Sequence, residues 1–211
     1  MKTILGKKVG MTQIFAETGE VVPVTVIEAG PESVTQIKIV ETDGYDAVQV
    51  GFGDAKPQRV TKPLSGHFDK AGVAPKKYIA EFKAEEGEEY EVGQTITVAD
   101  FEEGMKLDIT GTSKGKGTQG NIKRHGHHRG PVSHGSKHKR LSGALAGAAY
   151  PGRVFKGNRA PGRMGRDTVT VQNIVLVKIM EDRNLMLVKG AVPGGKGGIL
   201  KIQSAVKCQD K

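Results

Sequence analysis

Apolar positions along this chain fall into short alternating runs rather than helical stripes. Val21 to Glu28 and Val34 to Val40 carry β-branched residues at close to every second position, the period of a strand with one buried face. Gly30-Pro31 breaks the chain between them, so the pattern predicts two adjacent strands. Asp43-Gly44 then leads into Ala47 to Phe52, a further antiparallel partner. The same signal returns at Tyr78 to Phe82, Thr95 to Val98 and Lys106 to Thr110. It returns again at Thr168 to Met180 and Leu185 to Lys189, on either side of the turn Glu181-Asp182-Arg183-Asn184, and in the closing run Ile199 to Val206. Many short strands with glycine-rich connections predict a mainly β body, a barrel or a sandwich. Pro57 to Lys77, punctuated by Pro63, Gly66, Gly72 and Pro75, breaks this rhythm and predicts a small irregular lobe with one short helix. No internal repeat is evident.

Between Gly111 and Arg166 the pattern lapses. This stretch holds 13 glycines and scattered prolines, with Tyr150 and Phe155 as its only aromatics. It has too little apolar surface for a core. Ordering backbone costs roughly 1–2 kcal/mol per residue, so a segment of this length needs an external surface to offset that cost. Structureless insertions this long inside compact domains are functional or disordered.

Charge sharpens the picture. Between Asp108 and Asp167 lie 58 residues without a carboxylate, and they hold 13 of the 32 lysines and arginines. The rest of the chain has 19 basic and 23 acidic residues, so a slightly acidic body carries an intensely basic insert. That asymmetry predicts a polyanion-binding arm. Glycine lets a backbone approach another surface closely, and Lys and Arg offer charge and forked donors to phosphate oxygens. Folded RNA presents both crevices and phosphates. By contrast Glu81 to Glu103 has nine acidic residues against Lys83 and is expected to face solvent, away from the polyanion.

Other chemistries fit less well. A solvated linker would contain acids and would not need Leu141, Leu145, Val154 and Phe155, and no amphipathic helix is present to seat the arm on a membrane. Five of the six histidines, His125, His127, His128, His134 and His138, invite a metal reading, but they sit among glycines without Cys or carboxylate ligands, and no metal is expected. Histidine donates to phosphate and stacks on bases, which fits nucleic acid directly. Gly111-Thr112-Ser113-Lys114-Gly115-Lys116-Gly117-Thr118 has three residues, not four, before its Gly-Lys pair, and Gly117 follows Lys116, so it is not a nucleotide phosphate loop. Cys208 alone forms no internal disulfide, which suits a reducing cytosol, and its terminal position argues against catalysis. Only Ile4 and Leu5 precede Gly6-Lys7-Lys8, too little for a signal-peptide core, and no run approaches membrane-spanning length. The expected location is cytoplasmic.

Specific residues carry a resemblance. Phe101, Asp108, Gly111, Ser113, Gly115, Lys116, Gly117, Gly120 and Arg124 stand at the spacing of the signature of the large-subunit ribosomal protein L-three family. The opening Gly6-Lys7-Lys8-Val9-Gly10-Met11-Thr12 is similar to that family. So are the block Gly66-His67-Phe68 with Lys70-Ala71-Gly72-Val73, the run Pro151-Gly152 with Val154-Phe155-Lys156-Gly157, and Asn184-Leu185 with Leu187 to Gly194. The resemblance covers essentially the whole chain, in order, and is to the bacterial form.

The resemblance implies a six-stranded closed barrel of the translation-protein type, with a small irregular α+β lobe and a long basic extension. It implies binding to 23S-type rRNA near its 3′ end early in assembly, an extension reaching toward the peptidyl transferase centre, and large-subunit proteins fourteen and nineteen as neighbours. Lys114 to Arg124 would then be the root of the arm, Arg129 to Gly147 its tip region and Arg153 to Arg166 its return. Two departures stand out. The aromatic, often Trp, that commonly follows the Lys-Arg pair is His125 here, and the Arg-Arg-Pro-Gly-Ser-Ile-Gly-like tip reads Lys139-Arg140-Leu141-Ser142-Gly143-Ala144-Leu145-Ala146-Gly147. The glutamine that some bacterial members methylate, two residues before the matching Pro151, is Ala149, so that modification is expected to be absent.

The sequence is therefore read as a non-enzymatic structural protein of the large ribosomal subunit, without cofactor or small-molecule substrate. The first part of the body spans 1–110, with an inserted lobe at about 55–85; the extension spans 111–167 and the completing strands 168–211. The expected rRNA contacts are Lys114, Lys116, Lys123, Arg124, His125, His127, His128, Arg129, His134, Lys137, His138, Lys139, Arg140, Arg153, Lys156, Arg159, Arg163 and Arg166. The other reading is a basic RNA chaperone or assembly factor that acts and leaves. An enzyme ranks third, because no acid, base and nucleophile converge in the sequence.

Overall fold

The computed structural model describes residues 2–83 and 90–207. Cys208 and the glutamates of residues 84–89 lie outside the described residues. In chain order the strands are β1 (Thr3–Phe15), β2 (Val21–Ala29), β3 (Glu32–Lys38), β4 (Ala47–Asp54), β5 (Lys76–Phe82), β6 (Thr95–Ile96), β7 (Lys106–Thr112), β8 (Gly117–Gln119), β9 (Gly162–Met164), β10 (Thr168–Met180), β11 (Leu185–Lys189) and β12 (Ile199–Ser204). The helices are α1 (Val40–Asp43), α2 (Lys62–Ala71) and α3 (Asn121–His125). Two compact units result, one from 1–112 with 168–211 and the other from 113–167.

In the first unit six antiparallel strands close into a barrel in the order β1-β12-β7-β10-β11-β2. A closed barrel has no free edge in its seam, and alternate residues of each strand fill the interior. Ile4, Ile27, Leu107, Ile109, Leu176, Met186, Leu200 and Ile202 are fully or almost fully buried there. Burying each such side chain contributes about 1.5–3 kcal/mol. So small a barrel also needs small residues. A Cβ on Gly6 would fall 2.6 Å from Ile27 Cγ2, and one on Gly111 would fall 2.6 Å from Leu200 Cδ2.

A second sheet, β5-β4-β3-β6, packs on the outside of the barrel. Alternation along β1 and β12 serves both cores: Ile4, Leu200 and Ile202 face the barrel interior, while Leu5 and Ile199 meet Val34, Val50, Phe52 and Phe82 of the second cluster. Glu32, at the head of β3, is wholly buried, and its carboxyl accepts the Leu5 N–H. Burial outweighs that hydrogen bond and raises its pKa to about 8.

Several expectations need correction. β2 and β3 are not neighbours: β2 pairs with β1 and β11, and β3 with β4 and β6. The turn at Gly30, with φ +67°, passes the chain from one sheet to the other, and the alternation that marks a strand does not say which strand lies beside it. β1 was missed as a strand because Gly6-Lys7-Lys8 and Gly10 interrupt its apolar pattern. Lys8 is nonetheless buried, and its ammonium donates to the Val192 carbonyl at 2.9 Å. Val98 leaves β6 for a 3-10 turn, Val98–Asp100. The expected short helix of the 57–77 stretch is α2, with Pro63 in its first turn and Gly72 at φ +66° ending it.

The insert leaves the body after β7 and rejoins it at β10. Thr112 faces Thr168 at the end of their ladder, so the chain leaves and re-enters the body at one place. Asp108 is buried beside the bulge between Val171 and Ile174 of β10, and its carboxylate accepts the Asn173 N–H at 2.9 Å. The side chain replaces a ladder bond that the bulge removes.

Candidate nucleic-acid interface

The inserted unit is organised at its two ends. Ser113 N–H donates to the Asp167 carbonyl at 2.9 Å, and Lys116 N–H to the Met164 carbonyl at 2.9 Å. β8 and β9 follow as a short antiparallel pair with Thr118 opposite Arg163. After Gly120, α3 makes little more than one turn and stops at Gly126, where φ is +70°. Lys123, Arg124 and His125 fall in its last turn, and the charges of Lys123 and Arg124 meet the negative end of the helix dipole there.

Two of the expected contact residues are tied to the segment just before β9. Arg124 Nη1 donates to the Ala160 carbonyl at 2.8 Å, and His125 Nε2 donates to the same oxygen at 3.0 Å. Gly162 makes room for this arrangement, since a Cβ there would lie 2.5 Å from Arg124 Nη1. The His125 and His127 rings are 6.0 Å apart. Among the described residues no three His, Cys, Asp or Glu side chains gather as a metal set.

Between Gly126 and Pro161 no helix or strand forms. The chain folds on itself locally: Gly130 packs so closely on the His138 backbone that a Cβ would fall 2.3 Å from its carbonyl oxygen, and Asn158 donates to the Leu145 carbonyl at 3.3 Å. The Arg153 guanidinium stands over the Phe155 ring at 6.0 Å. Tyr150, Leu141, Leu145 and Phe155 are exposed.

Sixteen of the eighteen expected contact residues are exposed, and His125 and His127 are half-buried. No lysine or arginine from Lys114 to Arg166 is ion-paired among the described residues, whereas some body lysines are, as in Lys38–Glu81 at 2.8 Å and Lys76–Asp54 at 2.9 Å. The unit thus presents thirteen uncompensated charges on a backbone rich in glycine. Charges spread in this way suit a polyanion held through many weak contacts rather than one pocket.

Sequence reasoning missed Asn121, which is buried with its side-chain carbonyl unpartnered among the described residues, and the β8–β9 pair. Three-residue strands are too short to show alternation. Gly162, which leaves room for Arg124, is one glycine among many in this stretch and carries no signal of its own in the sequence.

The sequence model described as Ribosomal protein L3 matches residues 76–184, which include the whole insert. A protein of Finegoldia magna described as large ribosomal subunit protein uL3 is 55% identical over 207 residues, 98% of this chain and 99% of its own length. The proteins of the same description from Natranaerobius thermophilus and Streptococcus mutans are 58% and 57% identical, over 99% and 98% of both chains respectively. With its barrel, its basic insert and this near full-length similarity, the chain belongs to the ribosomal protein L3 family, in its bacterial form.

Proposed function

We propose that this protein is a structural constituent of the large ribosomal subunit and that its inserted unit is the part that holds 23S-type rRNA. The family is structural and non-enzymatic. The observation that carries the reading is the run of thirteen cations from Lys114 to Arg166, exposed and without a carboxylate partner among the described residues. Each phosphate these groups neutralise releases condensed counterions, which supplies affinity without sequence preference. Selectivity has to come from the fit of the glycine-rich backbone to folded RNA.

In finer detail, the protein docks near the 3′ end of the rRNA, nucleates assembly there and threads residues 111–167 toward the peptidyl transferase centre, beside large-subunit proteins fourteen and nineteen. It works in the cytoplasm, within the ribosome. The test is affinity for a fragment from the 3′ end of large-subunit rRNA and for an unrelated folded RNA of equal length, across a salt series. A preference for the rRNA fragment that survives rising salt is expected. Equal affinities that collapse together would mean general polyanion binding and an RNA chaperone.

A further inference from the structure

The β1–β2 hairpin outruns the barrel. β12 accompanies β1 along Thr3–Lys7, and bonds from Lys8 N–H to the Gly198 carbonyl (2.9 Å) and from Gly197 N–H to the Lys8 carbonyl (2.7 Å) end that seam. β11 follows β2 to Val24, with one more bond from Gly190 N–H to the Pro23 carbonyl at 2.8 Å. From Gly10 to Phe15, β1 has only β2 beside it among the described residues.

The direction of its free backbone groups follows from the turn. Ala16 N–H donates to the Glu20 carbonyl at 2.9 Å, and antiparallel pairs alternate between bonded and non-bonded. Ile14/Val22 and Thr12/Val24 are therefore bonded pairs, while Phe15/Val21, Gln13/Pro23 and Met11/Thr25 are not. Proline, which has no N–H, stands at a non-bonded position, as this phase requires. The N–H and C=O groups of Met11, Gln13 and Phe15 consequently point away from β2, and their side chains share one face. On that face Met11 is 51%, Phe15 70% and Val21 53% exposed.

Charge sets this ribbon apart from the rest of the molecule. In a chain of net charge +9, Val9 to Val26 holds no lysine or arginine and two carboxylates, Glu17 and Glu20, both at the hairpin tip. Lys196 stands beside Gly10 at the base of the ribbon, but the tip with its two carboxylates repels phosphate. A free edge flanked by apolar side chains is a template for another strand, and a two-stranded ribbon alone is marginal in water.

We propose that the Met11–Phe15 edge takes an extended strand from a second protein chain, apolar at alternate positions over Met11 and Phe15 and basic at the end that lies along Glu17 and Glu20. The inference rests on the reading of this protein as a constituent of a particle, which supplies a permanent neighbour.

Amide exchange of peptides spanning residues 10–16 tests it in three states: the free protein, its complex with the rRNA fragment, and the intact large subunit. The outward amides of Met11, Gln13 and Phe15 are expected to exchange quickly in the first two and at least tenfold more slowly in the third. Unchanged exchange in the subunit overturns the proposal. Slowing in the RNA complex alone would identify RNA as the occupant, and concentration-dependent slowing in the free protein would identify a second copy, either of which also overturns it. Gln13→Pro removes one outward N–H without touching the bonded pairs, and Phe15→Thr removes the apolar contact while leaving the edge intact. Each is expected to lower retention in subunits through a high-salt wash several-fold with RNA-fragment affinity unchanged. Should Gln13→Pro unfold, Phe15→Thr decides alone, and full retention of that variant overturns the proposal. Failure of the unmodified protein to prefer the rRNA fragment would instead count against the ribosomal reading.

Discussion

Glu32 sets an acid where the two cores of the body meet. Its side chain is wholly buried, one oxygen accepts the Leu5 N–H, and the other has no partner among the described residues. With its pKa raised from the ordinary 4.5 to about 8, the folded protein keeps this carboxyl protonated at neutral pH, where an unfolded chain has released the proton. The folded state thus binds more protons between those two values, and stability must fall as pH rises through that window, by up to about 1.4 kcal/mol per pH unit. Glu32→Gln keeps the shape and the acceptor but removes the titration. Denaturant unfolding from pH 5 to pH 8 should show the unmodified protein losing stability relative to the variant, with the difference levelling off above pH 8. Parallel curves would refute the assignment. Gly6 is the corresponding steric case. A methyl group there would meet Ile27 Cγ2 at 2.6 Å and Ile202 Cδ1 at 3.1 Å inside the barrel, so Gly6→Ala should cost about 1–3 kcal/mol and lower the thermal midpoint. Gly115, with nothing within 4 Å of an added Cβ, is the control position.

At the scale of elements, the insert and the barrel are separable by construction. Thr112 and Thr168 face each other across the β7–β10 ladder, the bulge in β10 is held by Asp108, and both features lie wholly within the body. Replacing residues 113–167 with a short glycine-rich turn should therefore leave a folded barrel, checked by an unchanged cooperative melt and β-rich circular dichroism. Loss of the melt would show that the insert is needed to close the barrel. The strands themselves were unevenly legible. β10 and β11 stand out in the sequence because Val, Ile and Leu alternate around a four-residue turn, and the turn closes with Asn184 at φ +52°. β1 does not, because its inward positions include Gly6, and Lys8 buries a charged side chain by lending its donors to loop carbonyls. A pattern of apolar residues cannot register either device.

For the molecule as a whole, charge segregation dominates. Residues 109–166 hold thirteen bases without an acid while the rest of the chain carries four more acids than bases, so the salt dependence of RNA binding should reside in the insert. With 113–167 replaced, the slope of log affinity against log salt should flatten by roughly 0.7–0.9 for each phosphate that the shortened chain no longer neutralises. An unchanged slope would place the phosphate-binding groups on the barrel. The sequence by itself determined this division of charge, the β character of the body, the short helix α2 and the motifs that place the chain in its family, because composition and local periodicity are properties of neighbouring residues. Only the tertiary structure decided that β1 closes the barrel against β12, that β3 to β6 form a separate sheet, that Glu32 is buried and that, among the described residues, the Met11–Phe15 edge pairs with β2 alone. Those depend on which distant strands meet, and alternation along a strand specifies which face is buried without specifying the partner.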